Sequence, residues 1–490
     1  MFNVESLIFI LYLFFMLGIG IYFFLKQKGS SEKEYFLGGR KMGPWVSALS
    51  AGASDMSAWS LMGLPASVFA FGLGQTWIGV GLLLGYALSW ILEAPRLRKF
   101  TIVADDSITI PQYLTNRFKS SGKVIRIVCA VLFLVAYTVY AASSMKACGT
   151  LLNTVTGMDP KVAMYLSAVI IIAYTFLGGY SAVCWTDFFQ GMLMLAALLI
   201  APIFALAILN RGGGVMTAAE MPEGYWNFFT ADWRDIISGL GWGLGYFGMP
   251  HIIVRFMSLD SAKSLKKSRV IGISWTAVIL IFGCGVGAIG HLLLGDIADS
   301  STVFIQVVRK LFSGFAGGAV ICGILLSAIL AAAMSSADSQ LLAASGAFAS
   351  DVYKPILRKG KATDKEMSLM GRLVVIVISV IAVLIASNPN SGTGMSLVEN
   401  AWGLFGAAFG PAIVLSLYWK RFNLPGAAAA IIAGGLTDIL WLVFLSSTGI
   451  YEIVPASVVG LLAGVIVTLL TPAPSAEVEE LFDSAVSYKD

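Results

Sequence analysis

Two acids, a stripe of small residues and a set of aromatics are the parts of this chain that could do chemistry. Asp55 lies within Gly52-Ala53-Ser54-Asp55-Met56-Ser57, where small residues and an acid interrupt an apolar run. Ala328, Ala332, Ser335, Ser336 and Ser339 follow helical spacing and form one small, partly hydroxylated face. Hydroxyl oxygens, and carbonyls freed by a helix break, are hard ligands suited to a small cation such as sodium. The competing reading of the stripe is a small-residue packing seam. Asp187, in Trp185-Thr186-Asp187, is the second clear acid within an apolar stretch. Ionisable residues are costly there and mark ion paths by default. For Asp187 the competing role is a carboxylate at a helix start; for Asp55 it is a hydrogen-bonding hub that holds the break. Asp338 sits beside the serine stripe and ranks lower, His251 reads first as a packing histidine, and His291 carries no signal. Trp59, Tyr140, Trp242 and Tyr246 could cage a small zwitterion with an apolar ring, with aromatic faces for the ring and helix ends for its charges.

These residues need elements to position them, and composition says in which solvent. Of 490 residues, 58% are hydrophobic and only 12% are charged, against about 25% in soluble domains. The apolar residues fall in runs near the ~20 residues that span a bilayer. Thirteen spans are predicted, near 7–25, 45–70, 74–94, 124–152, 161–178, 183–209, 233–254, 271–294, 315–347, 370–388, 397–418, 424–446 and 453–472. The segment 296–315 could add a short helix before the ninth. The first run lacks the flank and cleavage site of a signal peptide and is expected to be retained. The five cysteines, Cys129, Cys148, Cys184, Cys284 and Cys322, show no metal or disulfide spacing. No Ser/His/Asp set or phosphate loop appears, so an enzyme is not expected.

Charge tests the span count. Lys26, Lys28, Lys33, Arg40 and Lys41 fall between spans 1 and 2; Arg96, Arg98, Lys99, Arg117, Lys119 and Lys123 fall between 3 and 4. Arg255, Lys263, Lys266, Lys267 and Arg269 follow span 7; Lys354, Arg358, Lys359, Lys361 and Lys365 follow span 9; Lys420 and Arg421 follow span 11. Thirteen spans put all of these loops on one face, which the positive-inside rule makes cytoplasmic. The N-terminus is then outside and the C-terminus inside. Arg309 and Lys310 are the exception.

Two spans will not hold regular helix. One is the second, at Gly52 to Ser57. The other is the seventh, where Gly239, Gly241, Gly243, Gly245, Gly248 and Pro250 crowd together. Backbone freed at that depth is tolerated where it lines a cavity. Spans 2 and 7 are five apart, so spans 2–6 and 7–11 enter from opposite faces as an inverted repeat. Paired broken helices are the best sequence pointer to a transporter's central site. Asp55 lies ten residues into its span, roughly 15 Å and so near the midplane. The competing reading of the span 7 glycines is close helix packing. A channel would need a continuous filter, which two broken helices around one site argue against.

At these motifs the chain resembles the sodium/solute symporter family, and within it the bacterial sodium/proline symporters. The matching segments are Tyr35-Phe36-Leu37-Gly38-Gly39-Arg40, Ala48 to Ser57, Trp185-Thr186-Asp187, Gly241 to Gly248, Pro250-His251, and Leu326 to Ala332. The resemblance runs from about 5 to 475. It implies an all-α polytopic membrane protein with a leucine-transporter-type fold and two inverted five-helix repeats. The units would be 1–44, a first helix and cytoplasmic loop; 45–209 and 210–418, the two repeats; 419–472, two C-terminal helices; and 473–490, an acidic cytoplasmic tail. It implies inward symport of L-proline with sodium by alternating access in a bacterial cytoplasmic membrane, with lipid around it and no nucleic acid or obligate protein partner. Another amino acid, pantothenate or a sugar is the alternative cargo. Sodium would be held by carbonyls of Ala53, Met56 and Ala332 and hydroxyls of Ser335 and Ser336. Asp55 would support it, and Asp187 would lie on the ion path. Proline would meet Ser57, Ala58, Trp59, Tyr140, Trp242, Tyr246 and Pro250. Two departures stand out: Ala58 replaces a usual glycine, adding a methyl to the pocket, and Ser336 replaces a frequent threonine but keeps the hydroxyl.

Overall fold

The computed structural model describes residues 4–26, 31–120, 124–314 and 316–489. Lys28 and Lys123 of the basic loops lie outside the described residues. Those residues form helices joined by turns and loops, with one isolated bridge between Met42 and Leu259. In chain order the helices begin with α1 (Val4–Lys26), α2 (Glu32–Leu37), α3 (Pro44–Met56), α4 (Gly63–Phe71), α5 (Trp77–Leu88), α6 (Ala94–Val103) and α7 (Ile110–Arg117). Next come α8 (Val124–Thr156), α9 (Pro160–Leu209), α10 (Trp233–Gly241), α11 (Pro250–Ser258), α12 (Ala262–Leu294) and α13 (Val303–Phe312). The chain ends with α14 (Gly318–Ala347), α15 (Asp364–Ser387), α16 (Gly394–Tyr418), α17 (Leu424–Phe444), α18 (Ile453–Leu470) and α19 (Ala476–Ser487). Among the described residues, ten helical segments are long and apolar enough to cross a membrane.

The expected breaks explain why α3 and α4, and α10 and α11, are each too short to cross alone. The fifth and sixth expected spans meet inside α9, where Gly179 leaves helical geometry at φ 58° and ψ −165°. A short helix, α13, does precede the ninth span and buries Val303, Phe304, Val307 and Val308. The acidic tail is more than a polar extension: α19 buries Val478, Leu481, Phe482 and Ala485 and packs on α6. The Arg117 guanidinium donates to the Val478 carbonyl at 3.2 Å and lies over the Phe482 ring.

Burial sorts the helices. Nearly every residue of α14 from Leu325 to Ala347 is buried, so this helix sits at the centre. By contrast α1, α17 and α18 turn residues such as Leu11, Phe14, Leu436, Phe444 and Leu462 outward. That is the pattern of a bundle whose rim faces an apolar solvent.

Glycine pairs set the closest approach. A Cβ on Gly81 would stand 2.0 Å from the Gly239 carbonyl oxygen, and one on Gly85 would stand 2.2 Å from that of Gly243. Thus α5 lies backbone to backbone on α10 and the turn after it. The close-packing reading of these glycines holds for Gly239 and Gly243, alongside the break.

Candidate functional site

The first break has a defined geometry. α3 stops at Met56 because Ser57 takes φ 42° and ψ −178°, a left-handed conformation rare for a residue with a side chain. A 3₁₀ turn follows over Ala58–Ser60, and the Ser57 hydroxyl accepts from the Trp59 amide at 3.2 Å. Gly52 is glycine for a steric reason: a Cβ there would meet the Trp275 ring at 2.6 Å. The second break runs as 3₁₀ helix over Trp242–Phe247, extends at Met249, and restarts at Pro250, the residue best tolerated at a helix start.

A helix that stops leaves its last carbonyls without intrahelical donors. Here α14 reaches those of α3. The Ser335 hydroxyl donates to the Ala53 carbonyl at 2.8 Å and to that of Ala332 at 3.1 Å. The Ser336 hydroxyl donates to the Ser54 carbonyl at 2.8 Å. Four of the five predicted sodium ligands, Ala53, Ala332, Ser335 and Ser336, are therefore in one cluster. Met56 is the buried last residue of the same helix end. The Ser54 carbonyl was not expected and belongs to the cluster. Hydroxyl and carbonyl oxygens grouped in this way match the donor chemistry of a small hard cation.

Asp55 faces the other break. Its Oδ2 accepts from the Tyr246 hydroxyl at 2.5 Å, and both side chains are buried. The contact ties the end of α3 to the 3₁₀ turn of the second break. A cavity of about 280 Å³ lies beside it, lined by Asp55, Met56, Ser57, Trp59, Leu82, Tyr140, Trp242, Val398 and Trp402. The Trp59 and Trp242 rings stack across it at 6.2 Å and 14°. Trp402 donates from its indole nitrogen to the Trp242 carbonyl at 2.9 Å.

Of the predicted solute contacts, Ser57, Trp59, Tyr140 and Trp242 line this cavity. Tyr246 stands behind Asp55. Ala58 lines a wider vestibule of about 950 Å³ that shares Ser57, Trp59 and Val398 with it and continues to Ser143, Lys146, Thr150 and Thr393. Those residues belong to the last half of α8 and the start of α16, so the vestibule opens opposite the basic loops. Pro250 is elsewhere, lining a separate cavity with Phe36, Tyr180, Arg255 and Ser339. Ion pairs hold the basic-loop face together. Arg40 pairs with Asp106 at 2.8 Å and donates to the Met257 and Ser107 carbonyls at 2.6 and 2.8 Å. Lys33 also pairs with Asp106, and Lys354 with Glu32.

Asp187 is fully buried inside α9 rather than at a helix start. It accepts from the Ser50 hydroxyl at 2.6 Å and forms an ion pair with Arg255 at 3.1 Å. Arg255 corrects the loop assignment made above. It belongs to α11, is 1% exposed, and also donates to Ser339 at 2.5 Å. The signal was available: a lone cation four residues after His251, on the same helical face and still within apolar sequence. His251 is fully buried, with its amide donating to the Tyr137 hydroxyl at 2.7 Å and its ring Nε2 without a partner among the described residues. Asp338 is fully buried near this group, and neither carboxyl oxygen has a hydrogen-bond partner among the described residues. Val398 and Trp402 were also missed, because aromatic and aliphatic residues in spans carry no distinguishing pattern.

A model of the sodium:solute symporter family matches residues 35–434. The osmoregulated proline transporter OpuE of Bacillus subtilis strain 168 is 44% identical over 482 residues, 96% of each chain. The high-affinity proline transporter PutP of the same organism is 42% identical over 483 residues, 97% of this chain and 99% of the other. A sodium/proline symporter of Staphylococcus aureus strain JH9 is 42% identical over 96% of this chain and 93% of its own. Among solved structures, a substrate-bound, outward-open Na+-coupled sialic acid symporter superposes with a TM-score of 0.77 at 21% identity, covering 97% of this chain and 99% of that one. The nucleobase-cation symporter Mhp1 superposes at 0.55 and 14% identity, covering 92% and 98%. The fold is thus the leucine-transporter type, with two inverted five-helix repeats. With both broken helices, the serine stripe and the aromatic cavity in place, the chain is a membrane transporter rather than an enzyme, and it belongs to the sodium:solute symporter family.

Proposed function

We propose that this protein imports L-proline with sodium by alternating access. The observation that carries the reading is the pairing of the α3 terminus with α14: Ser335 and Ser336 close on the Ala53 and Ser54 carbonyls one residue from Asp55 and beside the aromatic cavity. Sodium enters this cluster as co-transported cargo, held by Ala53, Met56, Ala332, Ser335 and Ser336. Proline sits against Ser57, Ala58, Trp59, Tyr140 and Trp242, with Tyr246 behind Asp55. Pro250 meets it later, on the inner cavity. Full-length similarity to proline transporters of two bacteria supports the choice of solute.

The two ligands share one helix end. Sodium fixes the carbonyls at the break, and the same break presents Ser57 and Trp59 to the solute. Each ligand then raises the affinity for the other by the same factor. Asp187, paired with Arg255, lies on the inward side of this site and takes part in ion release. The chain crosses a bacterial cytoplasmic membrane thirteen times, N-terminus outside, with repeats at 45–209 and 210–418 and helices 419–472 appended. The vestibule is then external and the Arg40–Asp106 closure cytoplasmic.

Uptake of labelled L-proline into proteoliposomes tests the reading. Uptake is expected to need an inward sodium gradient and to fall strongly in Asp55→Cys. Uptake indifferent to sodium rejects the coupling. Competition by pantothenate, a sugar or another amino acid that outdoes unlabelled proline rejects the solute.

A further inference from the structure

The last long helices carry acids that this transport cycle does not use. Glu399 and Gly403 lie on α16, Asp438 lies on α17, and Glu452 immediately precedes α18. Asp438 is 2% exposed and Glu452 is 6% exposed. Asp438 Oδ1 and Glu452 Oε1 are buried without a hydrogen-bond partner among the described residues. Both converge on one point. A Cβ built on Gly403 would stand 2.8 Å from Asp438 Oδ1 and 3.5 Å from Glu452 Oε1. The glycine leaves a hollow under two bare carboxyl oxygens.

No described lysine or arginine forms an ion pair with either acid. The other titratable groups nearby are Glu399, Tyr451 and Arg234. Tyr451 donates its hydroxyl to the Glu399 carbonyl at 2.8 Å. The Arg234 stem reaches only to Gly449, 3.7 Å from where its Cβ would be. Asp438 is six residues from the end of α17, about 9 Å inside it. Two charges there would each cost several kcal/mol and repel one another. Like carboxylates sharing a site do not both ionise. A metal cation is the poorer occupant, since hard cations take about six oxygens and two are offered.

We propose that Asp438 and Glu452 form a proton-binding site, holding a single proton between them at neutral pH. The pair then carries one charge instead of two. The site has a route to the solute cavity. Tyr451, next to Glu452, packs on Trp242 at 5.0 Å, and Trp242 stacks on Trp59. Loss of the proton forces the acids apart and disturbs that wall, so uptake slows as pH rises.

Infrared spectroscopy of the full chain in lipid tests this, whichever solute is carried. The spectrum of the unmodified protein minus that of Asp438→Asn/Glu452→Gln is expected to contain one protonated carboxyl near pH 7, equal in sodium and potassium buffers. A difference with no protonated carboxyl overturns the proposal. So does a band that appears only when sodium is withheld, because the occupant is then a metal ion. Solute uptake by the double variant reports folding and is expected to persist with a flattened alkaline decline. Should that variant not fold, Glu452→Gln alone decides: a change in the protonated-carboxyl band against the unmodified protein near pH 7 supports the site, and identical spectra overturn it.

Discussion

The Tyr246 hydroxyl and the Asp55 carboxylate meet at 2.5 Å in a buried place. Removing a donor from a buried acceptor costs about 1–3 kcal/mol. Tyr246→Phe should therefore raise the sodium concentration for half-maximal uptake by about tenfold or more, at 1.4 kcal/mol per factor of ten. An unchanged sodium dependence would show that Asp55 does not rely on this bond. Ser336 gives a sharper contrast, because its hydroxyl reaches the Ser54 carbonyl at 2.8 Å. Ser336→Thr keeps that hydroxyl and should leave sodium dependence within about twofold, whereas Ser336→Ala, left with an unpaired carbonyl, should lose most of it. Equal behaviour of the two variants would remove Ser336 from the ion site.

Among the elements, α5 and the second broken helix depend on the absence of side chains. A Cβ on Gly243 would stand 2.4 Å from the Gly81 carbonyl oxygen, and that neighbour is backbone that cannot swing away. Gly79, two residues before Gly81, has nothing within 4 Å of its Cβ position. Overpacking costs about 1–3 kcal/mol, whereas a helical glycine with free space at its Cβ position takes alanine without that cost. Gly243→Val should thus lower the detergent melting temperature by several degrees or abolish expression, and Gly79→Ala should do neither. Matching losses in both would mean that α5 dislikes side chains generally rather than at this contact.

Across the whole molecule, a buried ion pair and its hydrogen bonds join four helices. Asp187 on α9 and Arg255 on α11 are shared with Ser50 of α3, and Arg255 reaches Ser339 of α14. Breaking a buried pair costs about 3–5 kcal/mol because the surviving charge is stranded. Arg255→Met should destabilise more than Arg255→Met combined with Asp187→Asn, measured by thermal unfolding in lipid nanodiscs. The reverse order would show that Asp187 is neutral without its partner. The basic-loop face offers a second test at this scale. Arg40 closes it through Asp106, Ser107 and Met257. Asp106→Asn should open this face and speed labelling of a cysteine placed at Ala343, which lines the cavity beside Pro250. Labelling at an unchanged rate would assign the closure to other contacts.

The broken helices, the serine stripe and the membrane class were determined by the sequence alone, because each is written in local composition and spacing. An acid among small residues, five glycines before a proline, and hydroxyls at helical intervals mean the same thing in any tertiary setting. Tertiary structure decided the partners. Arg255 looked like a loop cation until α11 carried it to Asp187, and Trp402 had no mark until it donated to the Trp242 carbonyl. The Asp438–Glu452 convergence on Gly403 and the docking of α19 under Arg117 join residues far apart in the chain. Such pairings depend on how helices cross. Crossing is set by which side chains are missing as much as by which are present, as Gly81 and Gly243 show. Local pattern therefore marked the broken helices and the serine stripe, and long-range packing chose what closes around them.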